Sequence, residues 1–169
     1  MRTTRLILSA LFAAMLAVLA QLSLPLPSGV PLTMHTFAVA LTGLSLGVRG
    51  SVAAVGAYLL LGAVGLPVFA GFVGGAGVLF GVTGGFLWGF LALAGLCGTR
   101  RILWAAAGLV ICHLLGVLVF ALVSQTPLPR AFVLVSLPYL LKDVLSVAAA
   151  FPVARAVRRG LKAAKIYIE

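Results

Sequence analysis

Six apolar runs, separated by short breaks of proline, glycine, polar or arginine residues, occupy most of this 169-residue sequence. A helix of about 20 apolar residues crosses the roughly 30 Å of hydrocarbon in a lipid bilayer. We therefore predict an all-α fold, an integral membrane bundle of six transmembrane helices that forms a single domain over residues 1–169. The runs can be drawn at about 6–24, 33–48, 51–66, 77–96, 102–123 and 131–153.

The composition is far from that of a soluble globular domain, because 63% of the residues are hydrophobic and only 8% are charged. The net charge of +10 does not indicate nucleic-acid binding, since the basic residues stand at the ends of the apolar runs and not along a solvated face. Cys97 and Cys112 lack the spacing of a disulfide framework. We interpret both as small, chemically inert side chains.

Basic residues are distributed unequally between the two ends of the predicted spans. With a cytoplasmic N-terminus, only Arg130 falls in an outer loop, and this excess of inner Lys and Arg places both termini in the cytoplasm. The chain is therefore expected to cross the membrane several times. The inner basic residues are Arg2, Arg5, Arg49, Arg100, Arg101, Arg155, Arg158, Arg159, Lys162 and Lys165.

The first run also has some features of a signal peptide, with small residues before a cleavage position at Ala20. Removing this run would move Arg49 and the Arg100–Arg101 pair to the opposite side of the membrane, so we interpret it as the first span. The basic tail 155–165 is interpreted as a topology anchor, while binding to anionic lipid or to a partner protein stays open.

Small residues recur at fourfold spacing in two of the runs. Ala10, Ala14 and Val18 form one stripe of the first run, with Ala13 and Ala17 in a second stripe beside it. Membrane helices associate through small residues, so both stripes suit packing within the bundle, and the alanine face also suits docking of a separate membrane subunit. The fourth run has a glycine stripe that would form a smooth groove on one helix, at Gly77, Gly81, Gly85 and Gly89.

Two uncharged loops are expected on the outer side, at residues 24–34 and 65–76, and they are rich in proline and in glycine respectively. The run at 33–48 is only roughly 24 Å long as a helix, which is short for a membrane span. Part of the loop 24–34 should therefore dip below the outer surface, where non-helical backbone persists only if it is buried in protein or lines a cavity. We predict an outward-facing pocket gated by these two loops.

Lys142 and Asp143 lie near the middle of the last run, where each charge costs about 2.5–3.5 kcal/mol on insertion scales. Such residues usually serve a function. Being consecutive, they point about 100° apart on a helix, so we expect each to face a different partner. Pro138 should kink the helix next to them, and Tyr139 lies on their common flank.

Further polar and aromatic residues near the two loops are candidates for the same pocket. Hydroxyl and imidazole groups come from Thr33, His35, Thr36 and Thr83, and aromatic rings from Phe37, Phe69, Phe72 and Tyr139. This set suits a small amphiphile with an anionic head, an apolar body and a hydrogen-bonding group. His113 has no polar neighbour in the sequence and is interpreted as structural.

Catalytic and metal-binding motifs were not found in the sequence. It has no phosphate-binding loop G-x-x-x-x-G-K-[ST], so we do not expect ATP hydrolysis by this chain. It has no H-E-x-x-H, no Cys/His metal spacing and no nucleophile elbow, and Asp143 and Glu169 are its only acids. We expect neither a cofactor nor a metal, and no enzymatic activity, although an intramembrane enzyme that uses Lys142 or a serine stays formally open.

Three stretches carry a resemblance to a known family: VPLTMHTFAVALTG at 30–43, GLPVFAGFVGGAGVLFGVTGGFLWGF at 65–90, and LPYLLKD at 137–143. Over nearly the whole chain, the sequence resembles the BioY family, the biotin-binding S components of energy-coupling-factor (ECF) vitamin importers. The resemblance implies a six-helix bundle that takes biotin from outside and works with a transmembrane ECF subunit and two ATPase subunits, in contact with membrane lipid.

The resemblance also assigns roles to residues. It implies that Ala10, Ala14 and Ala17 face the transmembrane partner. Lys142 is expected to attract the biotin carboxylate, and the other candidates surround the rest of the ligand. These are Asp143, Thr33, His35 and Thr83 for the ureido ring, Phe69, Phe72 and Tyr139 for the apolar ring and chain, and Thr36 and Gly75 as further substrate-binding positions.

This chain departs from the family pattern at three positions. The family usually has Gln in place of His35 and Pro in place of Val82. Many members carry a Lys three residues after the Asp, where this chain has Ser146, and here the Lys stands at 142. The alternatives to biotin uptake are an S component for another vitamin and a membrane scaffold protein that transports nothing.

Overall fold

The computed structural model describes residues 2–165, and these are mostly helical. Three helices are long and apolar enough to cross a membrane, and a bent pair adds a fourth candidate. The elements in chain order are α1 Arg2–Ala20, β1 Ser23–Leu24, β2 Leu32–Thr33, α2 His35–Ala63, α3 Ala76–Leu79, α4 Gly84–Cys97, α5 Ile102–Ser124, α6 Leu128–Val135 and α7 Leu137–Ala163.

Helix α2 reverses direction at Gly47, whose φ of 75° and ψ of 178° are not helical. The side chains of His35 and Tyr58 hydrogen-bond to each other across this turn, with 2.7 Å between Nε2 and the phenol oxygen. Residues 23 positions apart on a straight helix would lie about 34 Å apart, so the two halves must run back along each other. The predicted runs at 33–48 and 51–66 therefore correspond to the two halves of α2.

The predicted glycine stripe does not lie on one helix, and this expectation was wrong. The chain leaves helical geometry between Leu79 and Gly84, so Gly77 and Gly81 are separated from the glycines of α4. Gly85 and Gly89 do make a close contact with another helix, because a Cβ at either position would overlap α5. A hydrogen bond bridges this break, since the indole nitrogen of Trp88 donates to the carbonyl of Leu79 at 3.1 Å.

A bend of 50° separates α6 from α7, so the predicted kink is confirmed. Pro138 occupies the first turn of α7, where its missing N–H leaves no helical hydrogen bond unmade. Ser136 lies at the junction and is fully buried. The bend places the α7 residues Tyr139, Lys142 and Asp143 beside the hairpin formed by β1 and β2.

The two halves of α2 occupy the middle of the bundle and pack against α1, α4 and α7. Their inner surface is built from small and aliphatic residues such as Ala38, Val39, Leu44 and Ala54, all of which are buried. Large apolar side chains also cover much of the outer surface, as in α1 and α5. Such an exterior is stable in hydrocarbon and not in water, which agrees with a multi-pass membrane protein.

The close packing of α2 on α4 generates a prediction about Gly43. A Cβ at this position would lie 2.6 Å from the carbonyl oxygen of Ala94, a backbone atom that cannot easily move. We expect Gly43→Ala to lower the free energy of unfolding in detergent by about 1–3 kcal/mol. The matched control is Gly56→Ala in the other half of α2, where a Cβ meets no atom within 4 Å. Equal thermal shifts for the two variants would contradict this packing.

Candidate ligand-binding site

A cavity of about 580 Å³ lies beneath the two loops that were predicted to form a pocket. Such a volume is typical of small-molecule sites. The first loop contributes residues such as Leu26 and Val30, and the second contributes Phe69 and Val73. The remaining walls come from the start of α2, from α3 and α4 with the segment between them, and from α5 and α7.

The first loop is held as a short hairpin over the cavity. Strands β1 and β2 pair antiparallel, with Ser23 opposite Thr33, and residues 25–31 form the connection. The Tyr139 hydroxyl donates to the carbonyl of Val30, so α7 fixes the hairpin from below. Val30 and Tyr139 are both buried. The hairpin is therefore anchored at its tip as well as at its base.

Gln21, at the end of α1, holds the second loop. Its side-chain nitrogen donates to the carbonyls of Val68 at 3.3 Å and Phe69 at 3.1 Å, and its side-chain oxygen accepts from the backbone N–H of Phe72 at 2.9 Å. The sequence analysis did not select Gln21. The one signal in the sequence for this role was a polar residue near the end of a predicted span. The backbone of an uncharged loop needs hydrogen-bond partners, and such a residue can supply them.

Lys142 and Asp143 form an ion pair with each other, which corrects the expectation that they face different partners. Lys142 also donates to the carbonyl of Thr33 at 2.7 Å, and its side chain keeps 23% exposure at the cavity. The long side chain of Lys142 and the short side chain of Asp143 both extend toward the cavity. Their charged ends therefore meet, although the two Cα–Cβ bonds point in different directions. The result is a positively charged group at the base of an apolar cavity.

His113 is the polar residue that sequence reasoning set aside and that the structure places beside this pair. Its Nε2 lies 3.2 Å from a carboxylate oxygen of Asp143, and its Nδ1 lies 2.9 Å from the hydroxyl of Ser136. All three residues are buried. His113 thus connects α5 to α7 through the only acidic residue in the described range 2–165, although nothing near it in the sequence is polar.

A second polar chain begins at His35. Its Nδ1 lies 3.1 Å from the Thr33 hydroxyl, and its Nε2 contacts Tyr58, whose hydroxyl donates to the carbonyl of Val68 at 3.3 Å. The Tyr58 hydroxyl therefore lies between the His35 ring and the Val68 carbonyl, and the tautomer of His35 determines which of its ring nitrogens donates. The chain joins the cavity wall to the second loop.

Apolar side chains form most of the cavity surface. Phe86, Leu87 and Phe90 of α4 lie along one side, and Phe69 and Val78 close the side under the second loop. The sequence analysis had not selected the three α4 residues, because apolar residues in an apolar helix carry no signal of their own. They give the cavity a surface for an apolar ligand body, with polar groups confined to its base and one edge.

The structure brings most of the predicted substrate-binding residues to this cavity, but not all. Phe72 is 71% exposed and lies outside the lining, and neither Gly75 nor Phe37 contributes to it. Ser146 is buried away from the cavity, whereas Lys142 reaches it. The predicted residues that line it are Thr33, His35, Thr36, Phe69, Thr83, Tyr139, Lys142 and Asp143.

The alanine stripes of α1 lie on different surfaces. Ala10 and Ala14 are exposed, Ala17 is partly buried, and Ala13 is buried against the bundle.

Within residues 2–165, no group of three or more His, Cys, Asp or Glu side chains is arranged to hold a metal ion. Cys97 and Cys112 are both buried free thiols.

Comparison with known proteins decides the family. The BioY family model matches residues 1–163. This chain belongs to the BioY family. Segments from the three stretches that carried the resemblance meet at the cavity, where His35, Val82 and Lys142 all lie on the wall.

Individual BioY relatives are similar over most of their length. The chain is 37% identical to a probable biotin transporter BioY of Pyrococcus horikoshii, over 91% of this chain and 96% of that protein. It is 44% identical to the biotin transporter BioY of Thermotoga maritima, over 68% of this chain and 73% of that protein. Its fold matches the crystal structure of the S-component for biotin from an ECF-type ABC transporter with a TM-score of 0.73 and 27% identity, covering 95% of this chain and 92% of that one.

The network around Asp143 predicts a structural role for His113 in this BioY chain. His113→Ala leaves a buried Asp143 oxygen and the Ser136 hydroxyl without a hydrogen-bond partner, which we expect to cost about 1–3 kcal/mol. Thermal unfolding in detergent measures the loss. Leu114→Ala is the control, because Leu114 is the next residue of α5 and is 64% exposed on the outer surface. If the two variants unfold at the same temperature, His113 does not support the network.

Proposed function

We propose that this chain is the substrate-binding subunit of a biotin uptake system and that the cavity beneath the two loops is its biotin site. The observation that carries the proposal is the Lys142 ammonium at the base of an apolar cavity in a member of the BioY family. A scaffold protein that binds no ligand does not need a cavity of this size or a lysine ammonium within the membrane span that faces it.

The chemistry of biotin fits the arrangement of groups in the cavity. The Lys142 ammonium has three N–H donors, is ion-paired with Asp143 and donates to the carbonyl of Thr33. A remaining N–H would donate to the carboxylate of biotin. The rings of Phe69, Phe86 and Phe90 enclose the sulfur-containing ring and its aliphatic chain.

Hydroxyl and imidazole groups along the cavity edge suit the ureido ring of biotin, which has two N–H donors and one carbonyl acceptor. Thr36 and Thr83 present hydroxyls there, and His35 presents its ring beside Thr33. A hydroxyl can both donate and accept, so it can serve either side of the ureido group. The two loops are proposed to act as a gate, because both contribute residues to the cavity wall.

We further propose six membrane spans with both termini in the cytoplasm of a bacterial cell, within its plasma membrane. The six are α1, the two halves of α2, α3 with α4, α5, and α6 with α7. The orientation is supported by Arg5, Arg49 and Arg100, which meet at the end of the bundle opposite the ligand cavity. An excess of basic residues at one end marks the cytoplasmic side, so the cavity faces outward.

Energy for uptake would come from a partner, since the sequence has no phosphate-binding loop. We propose an ECF module of one transmembrane subunit and two ATPase subunits as that partner. The exposed Ala10 and Ala14 on α1 form the surface that suits its transmembrane subunit, because small residues allow helices to approach closely. Ala17 lies at the edge of the same surface.

Replacing the proposed carboxylate partner should weaken biotin binding. For Lys142→Met, which keeps the length of the side chain and removes its charge, we expect a rise in the biotin dissociation constant of about 10- to 100-fold. Equilibrium binding to purified protein measures it. Lys162→Met is the control, because Lys162 is exposed near the end of α7. Unchanged affinity in Lys142→Met, or equally tight binding of thiamine or pantothenate by the wild type, would overturn the proposed biotin site.

Variants of two phenylalanines distinguish binding inside the cavity from binding on the outer surface of the second loop. Phe86→Ala removes a ring from the cavity wall, and we expect about tenfold weaker biotin binding from the lost apolar contact. Phe72→Ala removes a ring that is 71% exposed outside the cavity, and we expect affinity within about twofold of the wild type. The reverse order of effects would show that biotin contacts the outer face of the second loop.

A further inference from the structure

A second cavity, of about 360 Å³, lies at the opposite end of the bundle from the proposed biotin site. It is formed where α1, the Gly47 turn of α2 and the connection between α4 and α5 meet. Each of these three segments contributes an arginine to its wall, namely Arg5, Arg49 and Arg100. The first half of α2 separates the two cavities, since His35 lines one and Leu46 lines the other.

No carboxylate in the described residues 2–165 balances these three guanidinium groups. Asp143 is the only acidic residue in that range, and it is paired with Lys142 and His113 at the other cavity. Arg158 lies within electrostatic reach of Arg100 and adds to the positive charge, while it donates to the carbonyl of Leu44. The cavity is therefore a concave site of one sign of charge.

The backbone N–H groups at the Gly47 turn also contribute positive partial charge. The second half of α2 begins at Val48, directly after Gly47, so its first N–H groups have no carbonyl one turn earlier in the same helix. Arg100 adopts a left-handed φ of 63°, and its Nη2 lies 3.8 Å from where a Cβ on Gly47 would be. Arg100 thus extends over the turn, next to the N-terminal end of this half-helix.

Apolar side chains flank the cavity on its outer side. Val48 lines it and is 46% exposed, and Leu6, next to Arg5 on α1, is 66% exposed. Leu8 and Leu46 form its apolar inner wall. A ligand that fills this site and continues along the outer surface needs a compact anionic head attached to a hydrocarbon body.

We propose that this arginine cavity binds the phosphate headgroup of an anionic phospholipid, with the acyl chains lying along the exposed apolar side chains of α1 and α2. Basic pockets between helices at a cytoplasmic membrane surface suit such headgroups, because each phosphate oxygen accepts hydrogen bonds from guanidinium groups. A volume of about 360 Å³ accepts a phosphate ester, and it is too small for a helix of a partner protein.

The test is native mass spectrometry of the purified full-length chain in detergent, with phosphatidylglycerol and phosphatidylcholine added at equal concentration. We expect one phosphatidylglycerol to be retained about tenfold in preference to phosphatidylcholine. The triple variant Arg5→Gln, Arg49→Gln, Arg100→Gln should lose this preference, and each single variant should weaken it roughly twofold. Biotin binding in the same samples reports that the triple variant is folded.

The matched control removes three positive charges from the same end of the chain but outside the cavity, as Arg101→Gln, Arg159→Gln, Lys162→Gln. All three of these residues are exposed. The control should keep the preference for phosphatidylglycerol, and its equal loss would show a diffuse surface charge and overturn the site.

Two further outcomes would also overturn the proposal. Displacement of phosphatidylglycerol by an equal concentration of sn-glycerol 3-phosphate would identify the ligand as a soluble phosphate ester and not a lipid. An unchanged lipid preference in the cavity variant, together with loss of a copurifying membrane partner, would assign the three arginines to a protein contact.

Discussion

The ion pair of Lys142 and Asp143 constrains the rest of the bundle, because a charge in an apolar interior requires partners. Asp143 obtains one from His113 on α5, and Lys142 obtains another from the carbonyl of Thr33 in the hairpin. These two partners come from two segments of the chain that are far from α7 in the sequence. The pair therefore fixes α5, α7 and the hairpin relative to one another, and the cavity lies where they meet.

Much of the architecture could be predicted from the sequence, since apolar runs of membrane length and the breaks between them are local properties. The two uncharged loops and the kink at Pro138 followed from the same reasoning, and all three border the cavity. Helical continuity between residues 77 and 96 was the error. Glycine spacing predicts a shared face only if the helix continues, and the backbone leaves the helix before Gly84.

The rest of the site depends on contacts between distant segments, which spacing along one helix does not report. His113 has only apolar neighbours in the sequence, yet folding places it against Asp143. The angle between Lys142 and Asp143 on a helix indicated separate partners, but flexible side chains closed that gap. Phe86 carried no signal because an apolar residue in an apolar run has many equivalent alternatives.

The side-chain amide of Gln21 connects the end of α1 to the second loop. Gln21 directly follows α1, the helix whose outer face carries Ala10 and Ala14. Its side chain hydrogen-bonds to the backbone of Val68, Phe69 and Phe72 in the loop that covers the cavity. Any tilt of α1 must either carry that loop along or break three hydrogen bonds. A mechanical linkage thus runs from the outer face of α1 to the loop above the cavity.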